Sequence, residues 1–171
     1  MAKQKSFAYS ADENARVLIL GSMPGAESLR QRQYYAFKHN AFWRIMGELY
    51  GFSPAAPYPE RLDILKAHRI ALWDVLAECE RPGSLDSAIR APRPNDIAGL
   101  VERLPRLEKI LCNGGAAYRY LHRFFPELVA QQLPSTSPAA ARFTYEQKLA
   151  AWRAALGPSV ALQSPASGDR L

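Results

Sequence analysis

Five short segments of the chain carry polar or aromatic groups at spacings that could do chemistry. Gly21-Ser22-Met23-Pro24-Gly25 follows an apolar run, and its two glycines and proline let the backbone turn tightly and present N–H groups. Seen alone, an ordinary strand-exit turn explains it equally well. It matches neither the phosphate-cradling GxxxxGK(S/T) pattern nor GxGxxG, which argues against a nucleotide hydrolase or a dinucleotide enzyme. The stretch Gln33-Tyr34-Tyr35-Ala36-Phe37-Lys38-His39-Asn40-Ala41-Phe42-Trp43 is aromatic, basic and amide-bearing at once. Tyr34 and Tyr35 offer faces on which an extruded base can stack, the Asn40 amide can hold a water or a base edge, and Lys38 and Arg44 can meet phosphate. Phe42 and Trp43 read as anchors of a helix on a sheet. Asp74 after Trp73, Asn113 before Gly114-Gly115, and Ser135, Thr136 and Ser137 between Pro134 and Pro138 complete the set. Asp74 and Asn113 have plain alternatives as caps, and the serines as parts of a rigid turn.

The elements that must position these groups follow from the apolar pattern. Arg16 to Leu20 is a short continuous apolar run ending at Gly21, which suits a strand covered on both faces. Similar runs occur at Ile70 to Trp73 and Ile110 to Cys112, with a weaker one at Leu128-Val129-Ala130 before Gln131-Gln132-Leu133. Between them, Phe42, Ile45, Met46 and Leu49 recur at helical spacing, closed by Gly51. Further helices are predicted after Tyr58-Pro59, after Asn95 as N-cap, after Gly114-Gly115, and from Thr144 to Leu156, where Gly157-Pro158 stops the pattern. Strands alternating with helices predict an α/β fold with a four-stranded parallel sheet between helices. Ligands of such sheets bind beyond the carboxyl ends of the strands, where most of these segments fall. The expected organisation is an N-terminal extension over residues 1–15, one domain over 16–157 and a loosely held tail over 158–171.

With 171 residues, 48% of them hydrophobic, the chain can bury one sizeable core. Its formal net charge of +6 permits a polyanionic partner without requiring one. No apolar run approaches the roughly 20 residues of a bilayer span, so no membrane association and a cytoplasmic monomer are expected. Cys79 and Cys112 stand too far from any second pair for a disulfide framework or a four-cysteine cluster, and read as buried thiols. His39, His68 and His122 lack metal-ligand spacing, so no metal is expected. There is no GxSxG elbow.

In order, GSMPG, YYA and NAFW, LWDVLAECERPGSLDSAI, ILCNGGAAY and LPSTSPA resemble the hypoxanthine-DNA (deoxyinosine) glycosylases, a branch of the uracil-DNA glycosylase superfamily. The resemblance runs from about Val17 to Trp152. It implies a three-layer αβα fold, no metal, iron–sulfur cluster or other cofactor, and DNA with a deaminated base as partner. It further implies Gly21, Ser22, Met23, Pro24 and Gly25 as the loop facing the base and sugar, with Tyr35 stacked on the flipped base and Asp74 reading its edge. Asn40 is the implied catalytic residue, and Ser135, Thr136 and Ser137 the loop pressing on the minor groove. Lys38 and Arg142, with Arg32 and Arg44, are added on charge as phosphate contacts. Met23 stands where many branches have Asp or Asn; a thioether is no general base, so the usual uracil mechanism is not expected. Phe37-Lys38 replaces the branch's usual His-Pro, and Ala140 stands where Asn is usual. Alternative readings are a mismatch-specific uracil or thymine glycosylase and a non-catalytic lesion-binding protein of the same fold.

Overall fold

The computed structural model describes residues 3–161. In chain order these form β1 (Lys3–Lys5), β2 (Val17–Gly21), α1 (Ala26–Gln31), α2 (Phe42–Tyr50), α3 (Tyr58–Ala67), β3 (Ile70–Asp74) and β4 (Leu76–Glu80). A 3-10 turn at Asp86–Ala88 leads to β5 (Arg90–Pro94), α4 (Ile97–Glu102), β6 (Lys109–Asn113), α5 (Gly115–Phe124), β7 (Gln131–Leu133) and α6 (Tyr145–Ala161). The main sheet is parallel, in the order β3-β2-β6-β7. The central strand β2 is buried along its whole length, as its uninterrupted apolar sequence requires when helices cover both faces. This is the expected α/β sandwich with a four-stranded parallel sheet. No helix among the described residues is long and apolar enough to cross a membrane.

The edge strand differs from its sequence expectation. Val129 is 89% exposed, and pairing begins two residues later, with Gln131, Gln132 and Leu133 beside Leu111, Cys112 and Asn113. At a sheet edge only one residue, Leu133, needs burial, so apolar content does not choose the register. Asn95 is not the cap of α4. Asp96 is, with its carboxylate accepting from Gly99 N at 3.0 Å. Helix α6 opens on a reciprocal cap in which Thr144 Oγ1 accepts from Gln147 N at 3.1 Å and Gln147 Oε1 accepts from Thr144 N at 2.8 Å. It is broken at Gly157, where φ is 71°, and the tail beyond residue 161 lies outside the described residues.

A second sheet, antiparallel in the order β1-β4-β5, has no counterpart in the sequence reading. Its edge strand β5 reads RAPRP, and its prolines argue against a strand except at an edge or bulge, which is where it lies. Residues 3–10 are woven into the domain by this sheet, by a bridge to β3 and by side-chain bonds. Lys3 pairs with Glu80, Ser10 bridges Leu72, the Trp73 indole donates to Phe7 O at 2.9 Å and the Tyr34 hydroxyl to Ala8 O at 2.9 Å. Asn95 joins the two sheets: its Nδ2 donates to Asp74 O at 2.8 Å and Leu76 O at 3.1 Å, on either side of the bend between β3 and β4. Replacing Asn95 by Ala strands both carbonyls, so Asn95→Ala is expected to lower the stability measured by urea unfolding by about 1–3 kcal/mol.

Candidate active site

At the carboxyl ends of β2, β3 and β6 lies a cavity of about 550 Å³. Its wall brings together Gly21, Ser22, Met23, Pro24, Gly25, Tyr35, Asn40, Asp74, Ser135, Thr136 and Ser137, all expected from sequence, along with Asn113. Lys38 and Arg142 are not in that wall. Lys38 lines a second hollow of about 360 Å³ that shares Tyr35, Phe37 and Asn40 with the first, together with Arg44 and Arg61. Arg142 lies over the Phe143 ring, 4.8 Å from its centroid.

The floor follows from strand register. Gly21 is paired with Asp74, and the ladder continues past the strand ends as Val75 N donates to Gly21 O at 2.8 Å and Leu76 N to Ser22 O at 3.1 Å. A Cβ on Gly21 would overlap Asp74 Oδ1 and come within 3.1 Å of the Tyr35 hydroxyl, so the bare backbone is what admits both groups. Asp74 is 3% exposed and its Oδ2 has no hydrogen-bond partner. Burial raises its pKa to about 7, helped by the negative charge of Asp86 and opposed by Arg81. Near neutrality the neutral acid, able to donate and to accept, is therefore a substantial fraction of the carboxyl, and it predominates below about pH 7.

Tyr35 takes a left-handed backbone (φ 57°) that turns its ring onto Phe42, stacked at 4.1 Å. Its neighbours fix that turn. Tyr34 N donates to the Tyr58 hydroxyl at 3.0 Å, Tyr34 O accepts from the Trp43 indole at 2.7 Å, and Ala36 N donates to Ser28 Oγ at 3.0 Å. Tyr34 itself is 4% exposed and spends its hydroxyl on Ala8, so of the two tyrosines Tyr35 is the one available to a ligand, with the exposed Phe37 ring on the same cavity wall. Asn40 Oδ1 accepts from Phe42 N at 2.9 Å, fixing the carboxamide at the entrance of α2.

The remaining wall is stapled from distant elements. Asn113 is not a helix cap: its Nδ2 donates to Thr136 Oγ1 at 3.0 Å and its Oδ1 accepts from Thr136 N at 2.9 Å. Thr136 is thus 1% exposed, and its side chain anchors the loop. Ala41 N donates to Thr136 O at 2.9 Å, the Trp152 indole to Pro134 O at 3.1 Å, and the buried Lys148 ammonium to Ser137 O at 3.0 Å. Gly114 (φ 99°) makes room for this loop, since a Cβ there would meet Ser135 Cβ at 2.9 Å.

Four residues were missed from sequence: Arg81, Ser84, Asp86 and Lys148. The Arg81 guanidinium, 2% exposed, donates to Pro24 O, Ser84 Oγ accepts from Ala26 N at 2.7 Å, and Ser22 Oγ donates to Asp86 Oδ1 at 2.7 Å. The segment over residues 81–87 therefore clamps the loop over residues 21–26. For Arg81, Ser84 and Asp86 the signal was the motif ERPGSLDSAI itself, because neither periodicity nor local spacing ties it to Ser22. Among the described residues no group of three or more His, Cys, Asp or Glu could hold a metal.

The buried carboxyl makes stability depend on pH. Its folded-state pKa lies above the unfolded one, so stability is full below about pH 4 and falls as pH rises to about 7. Asp74→Asn removes this loss. Its melting temperature is expected to exceed that of the unsubstituted protein at pH 8, by an amount equivalent to ~4 kcal/mol at most, with the advantage vanishing toward pH 4.

Comparison with known proteins places this geometry. The family model of the uracil DNA glycosylase superfamily matches residues 7–156. The chain is 41% identical over 145 residues to a hypoxanthine DNA glycosylase of Methanosarcina acetivorans, covering 82% of this chain and 90% of that one. It is 38% identical over 119 residues to a hypoxanthine DNA glycosylase of Methanosarcina barkeri, covering 69% and 75%. A solution NMR structure from M. acetivorans, of a protein assigned to the uracil DNA glycosylases, superposes with a TM-score of 0.75 at 35% identity over 95% of this chain and 99% of the other. A strand-end cavity pairing a stacked tyrosine with a buried carboxyl thus sits on a fold whose family is clear from the sequence match: this chain belongs to the uracil DNA glycosylase superfamily.

Proposed function

We infer that the protein hydrolyses the N-glycosidic bond of a deaminated base in DNA, with hypoxanthine as its substrate base. The observation that carries this reading is the meeting of Tyr35, Asp74 and Asn40 in one cavity of a size that suits a purine nucleoside. The names borne by the two Methanosarcina relatives support the choice of hypoxanthine.

A flipped purine enters with its face on Tyr35, whose other side is backed by Phe42. Neutral Asp74 matches the lactam edge of hypoxanthine, donating its O–H to the 6-oxo group and accepting from N1–H. The donated bond strengthens as negative charge gathers on the departing base, so it favours the transition state over the ground state. Ser22, Met23 and Gly25, which carry backbone N–H groups, line the same cavity and add to that field. Met23 supplies no base, and Asn40, fixed through Oδ1, positions the attacking water. An amide orients water without taking its proton, so geometry and leaving-group stabilisation provide most of the acceleration.

Extrusion costs a few kcal/mol and less for a mispaired base, which favours hypoxanthine opposite thymine. Ser135 and Ser137 border the cavity mouth on the loop held by Asn113 and Lys148, and Lys38, Arg44 and Arg142 supply positive charge outside it.

The test is base release from duplexes carrying deoxyinosine, deoxyuridine or deoxyxanthosine, read by alkaline cleavage at the abasic site. Deoxyinosine is expected to be the best substrate, and Asn40→Ala to slow its release on the order of 10²–10³-fold. Tight binding of inosine DNA with no abasic product would favour the lesion-binding alternative, and preferential uracil release the mismatch-specific one. Because donation to the base needs the protonated acid, activity should decline as pH rises through about 7. Asp74→Asn, which keeps a donor and an acceptor, should lose that decline.

A further inference from the structure

Three carboxyl groups line the cavity, Glu27, Asp74 and Asp86, and the reading above employs one of them. Glu27 is held by hydrogen bonds from Arg30 and Gln31 on its own helix. Asp86 is different. It belongs to the short turn after Ser84-Leu85, a segment held to the first loop by Arg81, and it accepts the Ser22 hydroxyl through Oδ1 at 2.7 Å.

Its depth in the cavity indicates what it faces. Asp74 forms the floor at 3% exposure, whereas Asp86 and its neighbour Leu85 are both exposed at the rim, Leu85 to 60%. A nucleotide whose base reaches the floor, and whose phosphates stay outside, must place its sugar between the two. Between floor and rim the wall carries Ser22 and Met23, both buried, and Asp86 reaches that level from the rim through its bond with Ser22; Met23 has no proton-accepting atom of use.

We propose that Asp86 is a further catalytic residue: its carboxylate, steered by Ser22, faces C1′ and accepts the proton of the attacking water that Asn40 positions. The proposal rests on the glycosylase reading. In the step, the C1′–N9 bond breaks with its electron pair leaving on the purine, the water oxygen bonds to C1′, and the water proton passes to Asp86 Oδ2. The purine anion takes a proton from solvent on release, and Asp86 returns its own to solvent. Before attack, the carboxylate's negative charge also opposes the positive charge growing on the sugar.

The surroundings are compatible with an ionised group of raised basicity. Burial raises the Asp86 pKa above the ordinary carboxylate value, while Ser22, Arg81 and Arg119 pull it down. Asp74 is the acidic neighbour, and Tyr120 and Cys79 are the other titratable groups that feel it. Two interacting carboxyls titrate as a pair, so the wild-type profile should be a bell whose two limbs belong to both.

Asp86→Asn separates charge from structure, because the amide oxygen can still accept the Ser22 hydroxyl. Single-turnover release of hypoxanthine from an inosine duplex is measured from pH 4.5 to 9, with a thermal melt and the duplex Kd alongside. The expected result is a loss on the order of 10²-fold or more at pH 7, an unchanged melt and Kd, and disappearance of the acid limb while the alkaline limb persists. Retention of activity within about threefold of wild type overturns the proposal, as does a slow variant whose acid limb is intact. Wild-type protein inert toward deoxyinosine would sink the underlying reading as well; an active wild type with an equally active Asp86→Asn would sink this inference alone.

Discussion

A carboxyl group without a partner, packed against a residue that has no side chain, is the constraint around which the site is arranged. Gly21 and Asp74 end adjacent parallel strands in register, so the space beside one backbone is filled by the acid of the other. Burial of an unpaired acid is unfavourable, and the group responds by holding its proton to about pH 7. The same desolvation that weakens the fold at alkaline pH keeps a donor population of the group near neutral pH. Stability and recognition are thus opposed at this one position, as they often are where function needs strain or unmet polarity.

Around that floor the walls are loops, yet few of their positions are left to the loops themselves. Thr136 is held by Asn113 and Ala41, Ser137 by Lys148, Pro134 by Trp152, Pro24 by Arg81 and Ser22 by Asp86. Most of these bonds join a side chain on one element to a loop backbone on another. Loops placed this way keep a cavity open without a ligand to hold it, which lowers the cost of ordering when a nucleotide enters.

Much of this was legible in the sequence, for identifiable reasons. The run Val17 to Leu20 announced a two-sided buried strand because nothing polar interrupts it, and the strand-end rule then gathered Gly21, Asn113 and Asp74 at one edge. Tyr35 and Asn40 came from residue type and order in a motif. The antiparallel sheet was hidden because β5 carries two prolines and β4 alternates only weakly in burial. Lys38 and Arg142 were chosen on charge alone, and charge says nothing about which hollow a flexible side chain enters. The anchoring of Thr136 was out of reach because its bond to Asn113, and the cramped space at Gly114, exist only once β6 and the last loop have met. Asp86 escaped notice for a related reason: its partner Ser22 is 64 positions away.

That separation has a consequence for how the molecule comes to be. Trp73 is tied to Phe7 across 66 positions, Arg81 to Pro24 across 57, and Tyr145 to Glu48 across 97. Contacts this remote must close large loops of chain before they repay anything, which places the protein among slowly assembling topologies. No contiguous stretch of half the chain holds the whole pocket. Split versions, and a nascent chain still lacking α6, would carry a sheet but an unfinished mouth, so competence to act on a nucleotide should arrive abruptly, with the last segment to dock.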